Sequence, residues 1–211
     1  PAAGVLSSRC FAFENIGMIG LGTGALSVYA GTGRKFTIYE LDPDNLTIAR
    51  KYFSYLEMAE KNGAELHFKF GDGRILVRNE EPNTLDLLII DAFNSGSIPV
   101  HLLTTGAMRE YFTTLKPDGI LLMHVSNRIL NLRPVIYSNC RALGLKVCEK
   151  NNAGNGHPDA ENTYWMAVSK DGRQIDVLLN RMGWWKDPGP ESELPREWTD
   201  RYSNILGAVM D

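Results

Sequence analysis

The chain has 211 residues, 44% of them hydrophobic and 22% charged, with a formal net charge of −3. That length suits one globular domain with a sizeable core, and the charge gives no basic footprint for nucleic acid. No apolar run approaches the ~20 residues needed to span a bilayer, and no signal peptide opens the chain. Cys10, Cys140 and Cys148 form no pair motif, which fits buried thiols in a reducing compartment and a cytoplasmic location. His67, His101, His124 and His157 are scattered without metal-ligand spacing, so no metal is expected.

Residues 1–14 show little periodicity and read as a lead-in. A strand is predicted over 15–21, then a turn with Gly20, Gly22 and Gly24, then a short helix over 25–30 stopped by Gly31 and Gly33. The second strand covers 35–41. Asp42 caps a helix that starts at Pro43 and runs to about 61, with Leu46, Ala49, Phe53, Leu56 and Ala59 on its buried face. The third strand, 65–70, leads into Gly71-Asp72-Gly73 and a short helix through Val77. The fourth strand, 85–91, is continuously apolar from Leu87 to Ile90, as suits a central parallel strand covered on both faces. A long loop over 92–104 follows, then a helix over 105–115, a Lys116-Pro117-Asp118-Gly119 turn and a fifth strand over 120–125. A helix over 132–143 ends at Gly144. The sixth and seventh strands, 145–149 and 163–169, are joined by a polar loop too short for a crossover helix, so they should form an antiparallel hairpin. A helix over 174–182 precedes an irregular but packed tail over 183–211, which holds Trp184, Trp185 and Trp198.

Strands alternating with helices give an α/β, Rossmann-like, doubly wound sheet of about seven strands over 15–182. The closing hairpin marks the methyltransferase variant of that theme. Ligands of such sheets bind beyond the carboxyl ends of the strands. Four features fall there, from four strands: the turn at Gly20, Gly22, Thr23 and Gly24, then Glu40, Asp72 and Asp91. Glycines let a turn adopt positive φ and let a ligand approach the backbone. A carboxylate after the second strand is placed to accept from ribose hydroxyls, so turn and Glu40 together indicate a nucleoside-containing ligand. The turn itself satisfies both a loose dinucleotide fingerprint and the Gly-x-Gly-x-Gly of S-adenosylmethionine enzymes; the hairpin favours the second. Asp72 reads equally as an acceptor for an adenine amino group, with Gly73 leaving room for the ring, or as a helix cap. Asp91 ends the most apolar strand, where a carboxylate is costly unless something uses it, and is the candidate catalytic residue. Asp86, at the opposite end of that strand, reads as structural. His124 reads as a satisfied sheet residue, and His101 as lining the crevice or capping the loop. Trp198 and Tyr202 read as packing groups, and Trp184-Trp185 as a hydrophobic anchor.

The segment from Leu87 to Thr104, which contains Ile90-Asp91-Ala92-Phe93-Asn94-Ser95-Gly96, resembles the catalytic segment of the spermidine synthase family. His124-Val125-Ser126-Asn127-Arg128 and Trp198-Thr199-Asp200-Arg201-Tyr202-Ser203-Asn204 are similar to bacterial spermidine-synthase-like proteins, some of which are fused to a transporter-like membrane region. The resemblance implies transfer of a propylamine group from decarboxylated S-adenosylmethionine to an amine such as putrescine. It assigns Glu40 to the ribose, Asp72 and Gly73 to the adenine side, and Asp91 to the proton of the attacking amine. Two positions depart from the family: Thr23 stands where the glycine turn usually carries an Asp, and Asn94 where a second Asp usually follows the catalytic one. Each removes a negative charge that would hold an amine, which keeps open an S-adenosylmethionine-dependent methyltransferase on a small substrate, or a non-catalytic nucleoside-binding module. The resemblance is also compatible with a homodimer. It leaves room for a β-rich N-terminal subdomain or a membrane region in the full-length protein, of which this would be the cytoplasmic domain.

Overall fold

The computed structural model describes residues 1–93, 98–127, 129–152, 163–190 and 193–209. Seven strands, β1 (Asn15–Ile19), β2 (Lys35–Glu40), β3 (Glu65–Phe70), β4 (Leu85–Ile90), β5 (Leu115–His124), β6 (Lys146–Asn152) and β7 (Thr163–Ser169), form one sheet in the order β3-β2-β1-β4-β5-β7-β6. The first five are parallel, and β7 runs antiparallel between β5 and β6. This is the predicted doubly wound sheet with its closing hairpin.

The helices are α1 (Ala2–Ser7), α2 (Pro43–Tyr52), α3 (Tyr55–Lys61), α4 (Gly73–Arg78), α5 (Thr105–Thr114), α6 (Arg133–Leu143) and α7 (Gly172–Met182). Alternation along the strands assigns them to two faces. Leu88 and Ile90 of β4, with Leu121 and Met123 of β5, pack against α4, α5 and α6. Leu87, Ile89, Ile120 and Leu122 point the other way, to α1, α2, α3 and α7. Leu87, Leu88, Ile89 and Ile90 are each fully buried, and each such burial favours folding by about 1.5–3 kcal/mol over exposure. This two-sided burial is why β4 reads as an unbroken apolar run. Asp86 keeps to the far end of β4, where it accepts from the N–H groups of Glu14 and Asn15 and pairs with Lys116 Nζ at 2.6 Å.

Four local expectations are corrected. The predicted helix over 43–61 is two helices. Phe53 is extended, with φ −130° and ψ 149°, and is 39% exposed. In a straight helix Phe53 and Leu56 would share a face; the break instead lets Leu56 bury itself against Gly24. The predicted helix over 25–30 is a single 3₁₀ turn, Ala25–Tyr29, because Gly31 and Gly33, both at positive φ, end it before an α-helical nucleus is repaid by further hydrogen bonds. The lead-in contains α1, whose Ala2, Val5 and Leu6 are buried in the core; six residues are too few for a clear period. Finally, β5 begins at Leu115. Leu85 pairs with Leu115 but Leu87 with Ile120, so residues 116–119 loop out as a bulge within the strand rather than as a turn before it.

The described part of the tail is held against this body. Trp184 and Trp198 are buried, and Trp198 N–H donates to Asn139 Oδ1. Trp185 exchanges two backbone bonds with Glu149. Glu149, itself fully buried, pairs with Arg133 and accepts from Tyr137. Burial pushes the Cys140 thiol well up and the Cys148 thiol to about 12, so both are inert thiols. Among the described residues no helix is long and apolar enough to cross a membrane, and no group of three or more His, Cys, Asp or Glu is arranged to hold a metal.

Candidate active site

Backbone hydrogen bonds run across the carboxyl edge of the sheet like rungs. Gly71 N–H donates to Glu40 O, Gly20 N–H to Tyr39 O, and Asp91 N–H to Ile19 O, each at 2.9 Å. The turn, Glu40, Asp72 and Asp91 are thereby gathered on one edge of four neighbouring strands.

The turn is pressed against the end of β4. Gly20 has φ 95°, and a Cβ there would stand 2.6 Å from Asp91 O, so a side chain at this position would push the turn off the strand that carries Asp91. Gly22, at φ 52°, has nothing within 4 Å of where a Cβ would lie, and both it and Thr23 are exposed.

Glu40 is 6% exposed. Its Oε2 accepts from Leu21 N–H at 2.8 Å, and its Oε1 from Asp42 N–H and Asn45 Nδ2, both at 3.0 Å. The carboxylate therefore ties the glycine turn to β2 and to the start of α2. With three donors for about four lone-pair directions, it keeps room for one more. Asp72 caps α4, accepting from Ile75 N–H on Oδ1, and its Oδ2 lies 3.0 Å from His101 Nε2. Gly73 packs on Ile19 of β1, where a Cβ would clash. Asn94 lies outside the described residues, as do Arg128 and His157.

Asp91 meets His124, which the sequence reads as a satisfied sheet residue without indicating this pairing. His124 Nδ1 is 2.7 Å from Asp91 Oδ1, and His124 Nε2 is 2.8 Å from Ser126 Oγ. The imidazole stacks on Trp165 with centroids 4.4 Å apart and planes at 6°, and meets the edge of Phe93 at 4.7 Å. The sheet register held the clue. Ile90 pairs with Met123, so the next residues of two neighbouring parallel strands, Asp91 and His124, emerge side by side.

A second cluster lies beyond His101. Arg74 is bidentate to Glu110, at 2.8 and 2.9 Å, and to Asp200 of the tail, also at 2.8 and 2.9 Å. Thr104 Oγ1 donates to Asp200 Oδ1 at 2.6 Å. The bonds from Glu110 and then Asp200 push the Arg74 guanidinium up, while Arg74, followed by Thr104, holds the Asp200 carboxyl down at about 2. A cleft of about 630 Å³ opens here, lined by Arg74, His101, Asp200, Arg201 and Tyr202 among others. It adjoins Asp72 through His101 but is not lined by Glu40 or Asp91.

No protein-family profile matches the chain. A polyamine aminopropyltransferase of Moorella thermoacetica is 29% identical over 99 residues, 47% of this chain and 34% of that protein. The polyamine aminopropyltransferase of Vibrio vulnificus is 29% identical over 116 residues, 52% of this chain and 36% of that protein. The matches thus span about a third of each relative. Among solved structures, a spermidine synthase in complex with the transition-state analogue AdoDATO superposes with a TM-score of 0.61 at 16% identity, covering 93% of this chain and 66% of that one. Human methyltransferase-like protein 13, solved with SAH, gives 0.57 at 16% identity, covering 95% and 93%. By fold the chain is a class I methyltransferase-like α/β protein, and in sequence it is similar to polyamine aminopropyltransferases, the spermidine synthases.

Proposed function

We propose that this chain is the catalytic core of a spermidine-synthase-like aminopropyltransferase, which moves a propylamine group from decarboxylated S-adenosylmethionine to a small amine such as putrescine. The observation that carries the reading is the Asp91 carboxylate at the end of β4, hydrogen-bonded through its backbone to β1 beside the glycine turn. The curated relatives, both polyamine aminopropyltransferases, support the same class.

The residues suit an adenosine. The open space over Gly22 accommodates a group lying on the turn. Glu40 would hold the ribose with its remaining lone-pair direction, and Asp72, with Gly73 beside it, would accept from the adenine amino group on Oδ2 next to His101. The donor supplies a carbon activated by a neighbouring sulfonium. Asp91 supplies the base. An alkylamine has a pKa near ~10 and arrives mostly protonated, so a carboxylate must draw off a proton before the freed nitrogen lone pair can attack. The new bond is C–N, the broken bond is C–S, and the proton passes to Asp91 and then to water. Both substrates are cations, and Glu40, Asp72 and Asp91 give this edge a favourable potential.

Thr23 and Asn94, in place of two acids, favour one rival, an S-adenosylmethionine-dependent methyl transfer on the same edge. Mass spectrometry of products formed from each donor with a panel of small amines separates them. A propylamine mass gain supports our reading, a methyl gain replaces it, and no gain with either donor removes both.

A further inference from the structure

We propose that His124 is a positioning residue for Asp91, holding the carboxylate in one orientation through a file of hydrogen bonds that starts at the backbone of β7. This rests on the transfer reading above, in which Asp91 takes the amine proton. The file has four members. Tyr164 N–H donates to Ser126 Oγ at 2.8 Å, Ser126 Oγ faces His124 Nε2 at 2.8 Å, and His124 Nδ1 faces Asp91 Oδ1 at 2.7 Å. Only one proton arrangement of the neutral ring uses every group. Ser126 O–H donates to Nε2, and Nδ1–H donates to the carboxylate. The opposite tautomer would set two lone pairs against each other across 2.7 Å.

The ring is fixed by more than these bonds. Trp165 on β7 stacks flat beneath it, and Phe93 meets it edge-on. With both nitrogens engaged, the His124 side chain is 16% exposed and that of Asp91 28%. His124 is thus built to hold rather than to meet substrate. Asp91 Oδ1 is committed to it, so in the proposed transfer the amine proton goes to Oδ2. The order carboxylate–Nδ1, Nε2–hydroxyl also serves nucleophilic serines in acyl transfer. Here the hydroxyl is already held by Tyr164 N–H, and it lies on the far nitrogen of a ring whose near side carries the proposed base. A carboxylate at the end of a strand has several side-chain rotamers. Pinning one of them before substrate arrives is the kind of orientation whose loss lowers turnover more than binding.

Two measurements test this. The first needs no activity. Imidazole ¹⁵N NMR of the protein without substrate should show His124 as the Nδ1–H tautomer, and Asp91→Leu should abolish that preference. An Nε2–H tautomer in the wild type overturns the proposal. The second is kinetic. His124→Phe keeps a ring between Trp165 and Phe93 but removes both nitrogens, and it should lower kcat about 10- to 100-fold with the donor KM nearly unchanged. His124→Asn, whose amide N–H replaces Nδ1–H, should recover most of that loss. A His124→Phe enzyme as fast as wild type, or a His124→Asn enzyme no better than His124→Phe, overturns it. If the wild type makes no product, the transfer reading fails, and the tautomer still decides whether His124 holds Asp91.

Discussion

The two halves of the sheet edge are built differently. On the β1–β3 side most of the polar contacts come from nearby chain: Glu40 is held by Asp42 and Asn45 and, 19 residues back, by Leu21, and Asp72 by Ile75 three residues on, with His101 added from 29 residues away. At the end of β4 the hold is across the chain: Asp91 and His124 are 33 residues apart. The tail docks at longer range still, on Arg74 of α4, 126 residues from Asp200. A turn and a cap can be shaped by a short stretch of chain, and in the proposed function they would hold the nucleoside. Fixing a base and docking a tail requires the whole sheet to have closed first. Damage on the first side should therefore appear in binding and local stability, and damage on the second in turnover and in attachment of the tail.

The sharpest break of this contrast is Asp91→Asn. It preserves shape but removes the proposed base, and should lower kcat about 10²–10⁴-fold, or about 3–5 kcal/mol of barrier, with donor binding by calorimetry intact. Loss of donor binding would put Asp91 on the nucleoside side instead. Next is Glu40→Ala, which leaves the buried Leu21 N–H without its acceptor. Urea unfolding should show a loss of about 1–3 kcal/mol, and donor affinity should fall with it. A stable variant with full affinity would mean that the turn holds its shape unaided.

Arg74→Met tests the tail. It leaves Glu110 and Asp200 facing each other without their cation, and we expect a loss of about 1–2 kcal/mol together with faster proteolysis near residue 200. The pH dependence follows from Asp200. Its folded-state pKa, about 2, lies below the ordinary value of 3.8, so its stabilisation is present above about pH 4 and is lost as pH falls towards 2. Asp200 is half exposed, so solvent screens much of this effect. The melting temperatures of wild type and Arg74→Met should converge over that interval, and a gap unchanged down to pH 2 would place the stabilisation elsewhere. The smallest effect expected is that of Ser126→Ala. It removes a middle member of the file to Asp91 but leaves Nδ1–H in place, so kcat should fall only about 2- to 5-fold, under about 1 kcal/mol. A loss as large as that of His124→Phe would make the hydroxyl an equal partner in holding the ring.

What the sequence determined by itself is what periodicity and connection length encode: about seven strands in a doubly wound sheet with a closing antiparallel hairpin, and hence the delivery of the glycine turn, Glu40, Asp72 and Asp91 to one edge. Each depends on a short window of chain or on whether a helix fits between two strands. Only the tertiary structure decided where the helix over 43–61 breaks, since burial of Leu56 against Gly24 outweighs a helical pattern that runs through Phe53. It alone placed Asp200 on Arg74 and His124 against Asp91. Those pairings join side chains far apart in sequence, whose spacing in the chain carries no period. They come into reach only once strand register and the packing of the tail have set which residues stand side by side.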